Sequence, residues 1–108
     1  DRLVGMRIFR YIEENYPEDI TLDKIASEVG LSITHFSRVF KNVSGMTFKQ
    51  YLNYYRINKS VLFLENGESV TEAAIRSGFG DINTFIRNFK KYKGTVPSKY
   101  KKWFKALA

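Results

Sequence analysis

The chain contains no cysteine. That excludes disulfides, thiolate metal sites and cysteine nucleophiles, and it makes a reducing cytoplasm the expected compartment. Histidine occurs once and the carboxylates are scattered, so the sequence offers no catalytic triad and no metal cluster. With two prolines and seven glycines in 108 residues, low complexity and disorder are not expected. No apolar run approaches the roughly 18 residues that a membrane span requires. The opening stretch "DRLVGMRIFRYIEENY" alternates charged and apolar residues, which is not the pattern of a signal peptide. It does not start with Met, so an excised C-terminal piece of a longer protein is the expectation. Acid is missing too, from Ile82 to the C-terminus.

What is present is apolar and basic. The chain is 44% hydrophobic and 16% aromatic, enough to core one domain or two very small subdomains. Its net charge of +7 is unevenly spread. The first 54 residues balance seven bases against seven acids, whereas the last 54 set eleven bases against four acids. A basic, aromatic-rich C-terminal half points to nucleic acid or to an anionic membrane surface.

Apolar residues recur at helical spacing almost throughout. Val4, Ile8 and Ile12 form one stripe, which "YPEDI" stops. Thr21 is placed to cap "LDKIASEV" and Ser32 to cap "ITHFSRVFKNV". Thr47 with Gln50 forms a capping box for "FKQYLNYYRINKSVLFLE", and Ser69 with Glu72 forms another for "VTEAAIRS". Asp81 opens "INTFIRNFKKYK", and Pro97 opens "PSKYKKWFKAL" at a position that tolerates proline. The expectation is an all-α fold of seven helices.

Two stretches repeat. "TLDKIASEVGLSITHFSRVFKNVSGMTFKQY" aligns with "SVTEAAIRSGFGDINTFIRNFKKYKGTVPSKY". Ala26 and Gly30 match Ala74 and Gly78. Phe36, Arg38, Phe40, Gly45 and Tyr51 match Phe85, Arg87, Phe89, Gly94 and Tyr100, with one extra residue in the second turn. Each copy is a short helix, a glycine turn and a second helix, in which Phe36, Phe40 and Val43, or Phe85, Phe89 and Tyr92, are expected to be buried. A small alanine lets the helices cross closely, and glycine takes the left-handed turn. This is a helix-turn-helix pattern, whose second helix enters a DNA major groove. Two subdomains, 1–46 and 67–108, are joined by a linker helix, 47–66, of roughly 27 Å.

The repeated unit resembles the DNA-binding domain of the AraC/XylS family of bacterial transcription regulators. Its second-half signature reads "GFGDINTFIRNFKKYKGTVPSKYKK", and residues 22–57 follow "L..IA...G.S..HFSR.FK...G.TF..YL...RI". The resemblance covers about residues 8–102, so that 1–108 is one AraC-type, homeodomain-like DNA-binding domain. It implies seven helices, with both second helices docking in successive major grooves about 34 Å apart along the duplex. Three positions depart from the family pattern: Ser60 and Lys101 replace the usual alanine and arginine, and Val96 replaces a capping Ser or Thr.

Helical angles select the reading residues. Thr34 and Arg38 lie two residues from Phe36 or Phe40, about 200° around the helix, and Ser37 and Lys41 share that exposed face. The same construction in the second copy gives Asn83, Ile86, Arg87 and Lys90. The base-contacting set is Thr34, Ser37, Arg38, Asn83, Ile86 and Arg87, positions to which the resemblance also points, with Ile33 added because it lies near the start of its helix. Arginine pairs with guanine, asparagine with adenine, and an apolar side chain suits a thymine methyl. For Arg38 and Arg87, a phosphate anchor or an internal ion pair is the alternative; for Ile86, a stray surface residue. Lys41, Thr47, Lys90, Lys91 and Lys93 are assigned to phosphates. Ile82 and His35 are near enough to the helix starts to reach bases, with packing the preferred role for His35. Asp81 is read as a helix cap rather than a cytosine contact. Arg56 is read as a structural pairing residue, with phosphate contact as the alternative.

The tail "KYKKWFKALA" is amphipathic, and Tyr100, Trp103 and Phe104 are expected to pack on the second unit rather than on a membrane surface. Glu13, Glu14, Glu18 and Asp19 form an acidic corner, either a solvated helix end or an interface with a further domain or RNA polymerase. The expected function is sequence-specific binding of double-stranded promoter DNA, by an activator located in the cytoplasm at the nucleoid. No cofactor and no metal are expected. The implied partners are RNA polymerase and a sensing, dimerisation or receiver domain. An enzyme is the first rival; the alkyl-transfer repair activity found fused to this fold type requires a cysteine. A membrane or protein-interaction module is the second.

Overall fold

The computed structural model describes residues 2–108, and among these are seven α-helices and no strand. They are α1 (Arg2–Asn15), α2 (Leu22–Glu28), α3 (Ile33–Ser44), α4 (Phe48–Glu65), α5 (Val70–Arg76), α6 (Ile82–Lys93) and α7 (Pro97–Leu107). The chain forms two compact units, Asp1–Leu52 and Asn53–Ala108, with α4 beginning in the first and ending in the second.

Short polar side chains set the helix starts. Thr21 accepts from the Lys24 N–H, Ser32 from that of His35, and Ser69 from that of Glu72, each at 3.1 Å. Thr47 and Gln50 cap each other: Thr47 Oγ1 accepts from the Gln50 N–H at 3.1 Å, and Gln50 Oε1 accepts from the Thr47 N–H at 3.0 Å. These bonds satisfy first-turn donors that have no partner within the helix. At α7 the cap position holds Val96, which makes no such bond.

The two glycine turns are built alike. The Gly30 N–H donates to Ser27 O and the Leu31 N–H to Ala26 O; in the second unit Gly78 and Phe79 donate to Ile75 O and Ala74 O. This paired arrangement closes a helix end around a residue with positive φ, here 73° at Gly30 and 101° at Gly78. The repeated alanines are both buried and supply the carbonyls that close the turns. Gly80 is the extra residue of the second turn, between Phe79 and the cap Asp81.

Each unit has its own core. In the first, Ile8, Ile12, Ile25, Ala26, Phe36, Phe40, Phe48 and Leu52 are buried. Phe48 meets Phe36 and Phe40 edge-on, with centroids 5.7 Å apart in both pairs. In the second, Ile57, Leu64, Ala73, Ala74, Phe79, Phe85 and Phe89 form the cluster. Ser60, where the family pattern has alanine, is fully buried and donates to Ile57 O at 2.6 Å, so its hydroxyl is satisfied inside its own helix.

Three packing expectations are corrected. Val43 is 73% exposed, because its short side chain does not reach the core its partner position reaches; the matching Tyr92 extends far enough to meet Tyr54 edge-on at 5.4 Å. His35 is exposed, lying about 100° from Phe36 around α3. Tyr100 packs on Phe89 at 5.8 Å, but Trp103 is 58% exposed, one turn further along α7 and on the flank of the buried side.

Candidate nucleic-acid interface

The second helix of each unit is divided lengthwise by the 3.6-residue period. On α3, Phe36 and Phe40 are buried and stacked, centroids 5.7 Å apart. Thr34, Ser37, Arg38 and Lys41 are exposed on the other side, and Ile33 is 44% exposed at the first position of the helix. Among the described residues, neither Arg38 nor Lys41 forms an ion pair or a side-chain hydrogen bond. The internal ion pair weighed as an alternative for Arg38 is therefore not seen.

On α6, Phe85 and Phe89 are buried, and Asn83, Arg87, Lys90 and Lys91 are exposed. Arg87 makes a long contact with the cap of its own helix. Asp81 accepts from the N–H groups of Asn83 and Thr84 at 3.3 and 3.2 Å, and from the Thr84 hydroxyl at 2.8 Å. Thr84 Oγ1 in turn accepts from the Arg87 guanidinium at 3.5 Å. The Thr84 hydroxyl, then the Asn83 N–H, with a smaller contribution from the charge of Arg87, hold the Asp81 carboxyl below its ordinary value. The one acid beside this surface is thus occupied as a helix cap.

Two of the assigned positions differ from their expected surroundings. Ile86 is half-buried and packs against the core cluster of its unit, rather than standing on the wet face. It lies about 100° from Phe85, on the flank of α6 and not opposite the core. Lys93 leans back to α4, donating to Asn58 Oδ1 at 2.6 Å, so part of its hydrogen-bonding capacity is used within the unit. Thr47 is exposed and has its N–H committed to Gln50. Lys91 lies 5.3 Å from the centre of the Tyr92 ring.

Thr84 and Asn58 were not singled out from the sequence. Thr84 carries a legible signal, since Asp81, Thr84 and Arg87 stand three residues apart and share one helical face. Asn58 carries none, because its contact with Lys93 joins residues 35 apart in the chain.

Among the described residues there is no group of three or more potential metal ligands. No described helix is long and apolar enough to cross a membrane. What the fold presents is a pair of helix-turn-helix units, each showing a polar and basic second-helix face.

A family profile described as "Helix-turn-helix domain" matches residues 25–102. The chain belongs to this family: it is a helix-turn-helix DNA-binding domain of AraC type. An HTH-type transcriptional regulator of Staphylococcus aureus is 34% identical over 92 residues, which make up 84% of this chain and 12% of that protein. The chain therefore spans about an eighth of the length of that curated relative. The C-terminal domain of the two-component response regulator yesN from Fusobacterium nucleatum is 35% identical with a TM-score of 0.81, over 87% of this chain and 93% of that one. The DNA-binding domain of AdpA, a global transcriptional factor crystallised with a target DNA, shares the fold with a TM-score of 0.89 at 24% identity, over 96% and 94% of the two chains.

Proposed function

We propose that this domain directs a bacterial regulator to promoter DNA by placing α3 and α6 in successive major grooves. The observation that carries the reading is the repeated exposed face of these helices, with Arg38 and Arg87 at the same position of each copy. Ile33, Thr34, Ser37 and Arg38 read one half-site, and Asn83 and Arg87 the other, with Ile86 at the margin of the groove. Lys41, Thr47, Lys90 and Lys91 hold phosphates, joined by the remaining donors of Lys93. Phosphate neutralisation supplies affinity and base-edge contacts supply specificity, each good bidentate pair contributing about 1–3 kcal/mol of discrimination. The mechanism is binding, without a catalytic step.

AdpA's complex with a target DNA supports the duplex as ligand, and the response-regulator context of the yesN domain supports a receiver or sensing domain elsewhere in the full protein. In that setting the domain acts in the cytoplasm at the nucleoid, as an activator that presents RNA polymerase with a DNA-bound surface. Selection of bound duplexes from a random pool tests this reading. The expected product is a consensus with two separate half-sites; an unenriched pool after repeated rounds would remove sequence-specific binding from consideration.

A further inference from the structure

In the second unit, the C-terminal end of α4 carries an uncompensated charge. Glu65 is the last residue of α4, and that helix has no basic residue in its last turn. A carboxylate there stands at the negative end of the helix dipole, where a cation is the favoured neighbour. Glu65 forms no salt bridge with any described residue. Its Oε2 accepts from the Tyr100 hydroxyl. That bond, then burial and the charge of Glu65, push the Tyr100 hydroxyl up to about 12, so the tyrosine remains a neutral donor at physiological pH.

Aromatic side chains share a groove with this carboxylate. Glu65, Tyr100, Trp103, Phe104 and Leu107 line an open groove of about 370 Å³. The Tyr100 and Trp103 rings are 5.9 Å apart and tilted by 46°, and Phe104 stacks on Tyr100 at 6.4 Å. Trp103 is 58% exposed and Leu107 67%, so the groove is reachable from solvent. Nothing within the unit fills the cationic role. Lys99, one turn before Trp103, makes neither an ion pair with Glu65 nor a ring contact. Lys101 and Lys105 are two residues from Trp103, roughly 160° away around α7.

Aromatic faces, an aliphatic side chain and one carboxylate suit a cation whose own surface is apolar. The rings attract positive charge and cover alkyl groups, while the carboxylate and the helix end supply the counter-charge. A metal ion needs more oxygen ligands than one carboxylate offers, and an unsubstituted ammonium is too strongly hydrated to prefer such walls. We propose that this groove binds a small alkylated ammonium ion, with Glu65 as its counter-ion and Tyr100, Trp103 and Phe104 as its aromatic walls. The site is separate from the DNA-reading faces and stands or falls independently of them.

Trp103 is the only tryptophan, so its emission reports on this groove alone. The 108-residue chain is titrated with tetramethylammonium chloride, with sodium chloride holding the ionic strength constant. The emission is expected to follow a saturating curve, with a much weaker response to ammonium chloride. Glu65→Gln keeps an acceptor for Tyr100 and is expected to weaken binding about tenfold. Leu107→Lys, at an exposed position that the fold does not depend on, places a positive charge at the groove and is expected to abolish the response. A linear response equal for both salts, or a curve unchanged in both variants, overturns the site. Tighter binding of guanidinium than of tetramethylammonium overturns the alkylammonium assignment in favour of an arginine side chain.

Discussion

Asp81 stands at the start of α6 and accepts from two backbone N–H groups and the Thr84 hydroxyl. These bonds favour the ionised form and lower its pKa, so they stabilise the fold above the ordinary aspartate value and fade as the carboxyl protonates below about pH 4. Asp81→Ala is expected to lower the melting temperature at pH 7. The gap to the unsubstituted protein should close as the pH falls below 4, and a gap constant across that range would rule out the carboxylate as its source. Val96 is the opposite case, a cap position with helical entry geometry and no capping atom. Val96→Thr should contribute about 1 kcal/mol, or roughly 4 °C in melting temperature. An unchanged or lower midpoint would show that the first turn of α7 is satisfied in another way.

At the scale of the helix, α3 and α6 share one construction but differ in charge. The exposed side of α3 carries Arg38 and Lys41, whereas α6 carries Arg87, Lys90 and Lys91, with Lys93 drawn toward Asn58. Arg38→Ala and Arg87→Ala should each relax base preference in one half-site, by about 1–3 kcal/mol at the contacted pair. Duplex selection repeated with each variant measures this, and uniform weakening on every sequence would make the arginines phosphate anchors instead. Replacing Lys90 and Lys91 together by alanine should weaken all duplexes alike and reduce the slope of log affinity against log salt by about 2. A slope equal to that of the unsubstituted chain would take these lysines off the backbone.

The helix starts, the glycine turns and the repeat were legible because each is written locally. A capping side chain and its N–H partner are three residues apart, and Ala26 to Gly30 or Ala74 to Gly78 is one helical turn. The face opposite Phe36 or Phe85 was legible for the same reason, since two residues turn the chain about 200°. Positions on the flank were not. Ile86 and His35 lie about 100° from a buried phenylalanine, where burial depends on how far a neighbouring helix reaches; Val43 lies on the line of Phe36, in the last turn of α3, where burial depends on how long the side chain is. Tyr92 is held by Tyr54 while Val43 stays exposed at the matching place. The helical period alone does not contain that information.

For the whole molecule, two copies of one small unit make up the chain, and the excess positive charge falls in its second half. Each unit is expected to contribute sequence-specific contacts, the second adding more of the salt-dependent grip. The measurement that bears on this most directly is a titration of the chain against its selected duplex and against two duplexes with one half-site scrambled. Scrambling either half-site should weaken binding by at least tenfold, given the cost of about 1–3 kcal/mol for each mismatched pair. If scrambling one half-site leaves the affinity unchanged, only one unit reads sequence, and the claim of paired recognition helices is contradicted.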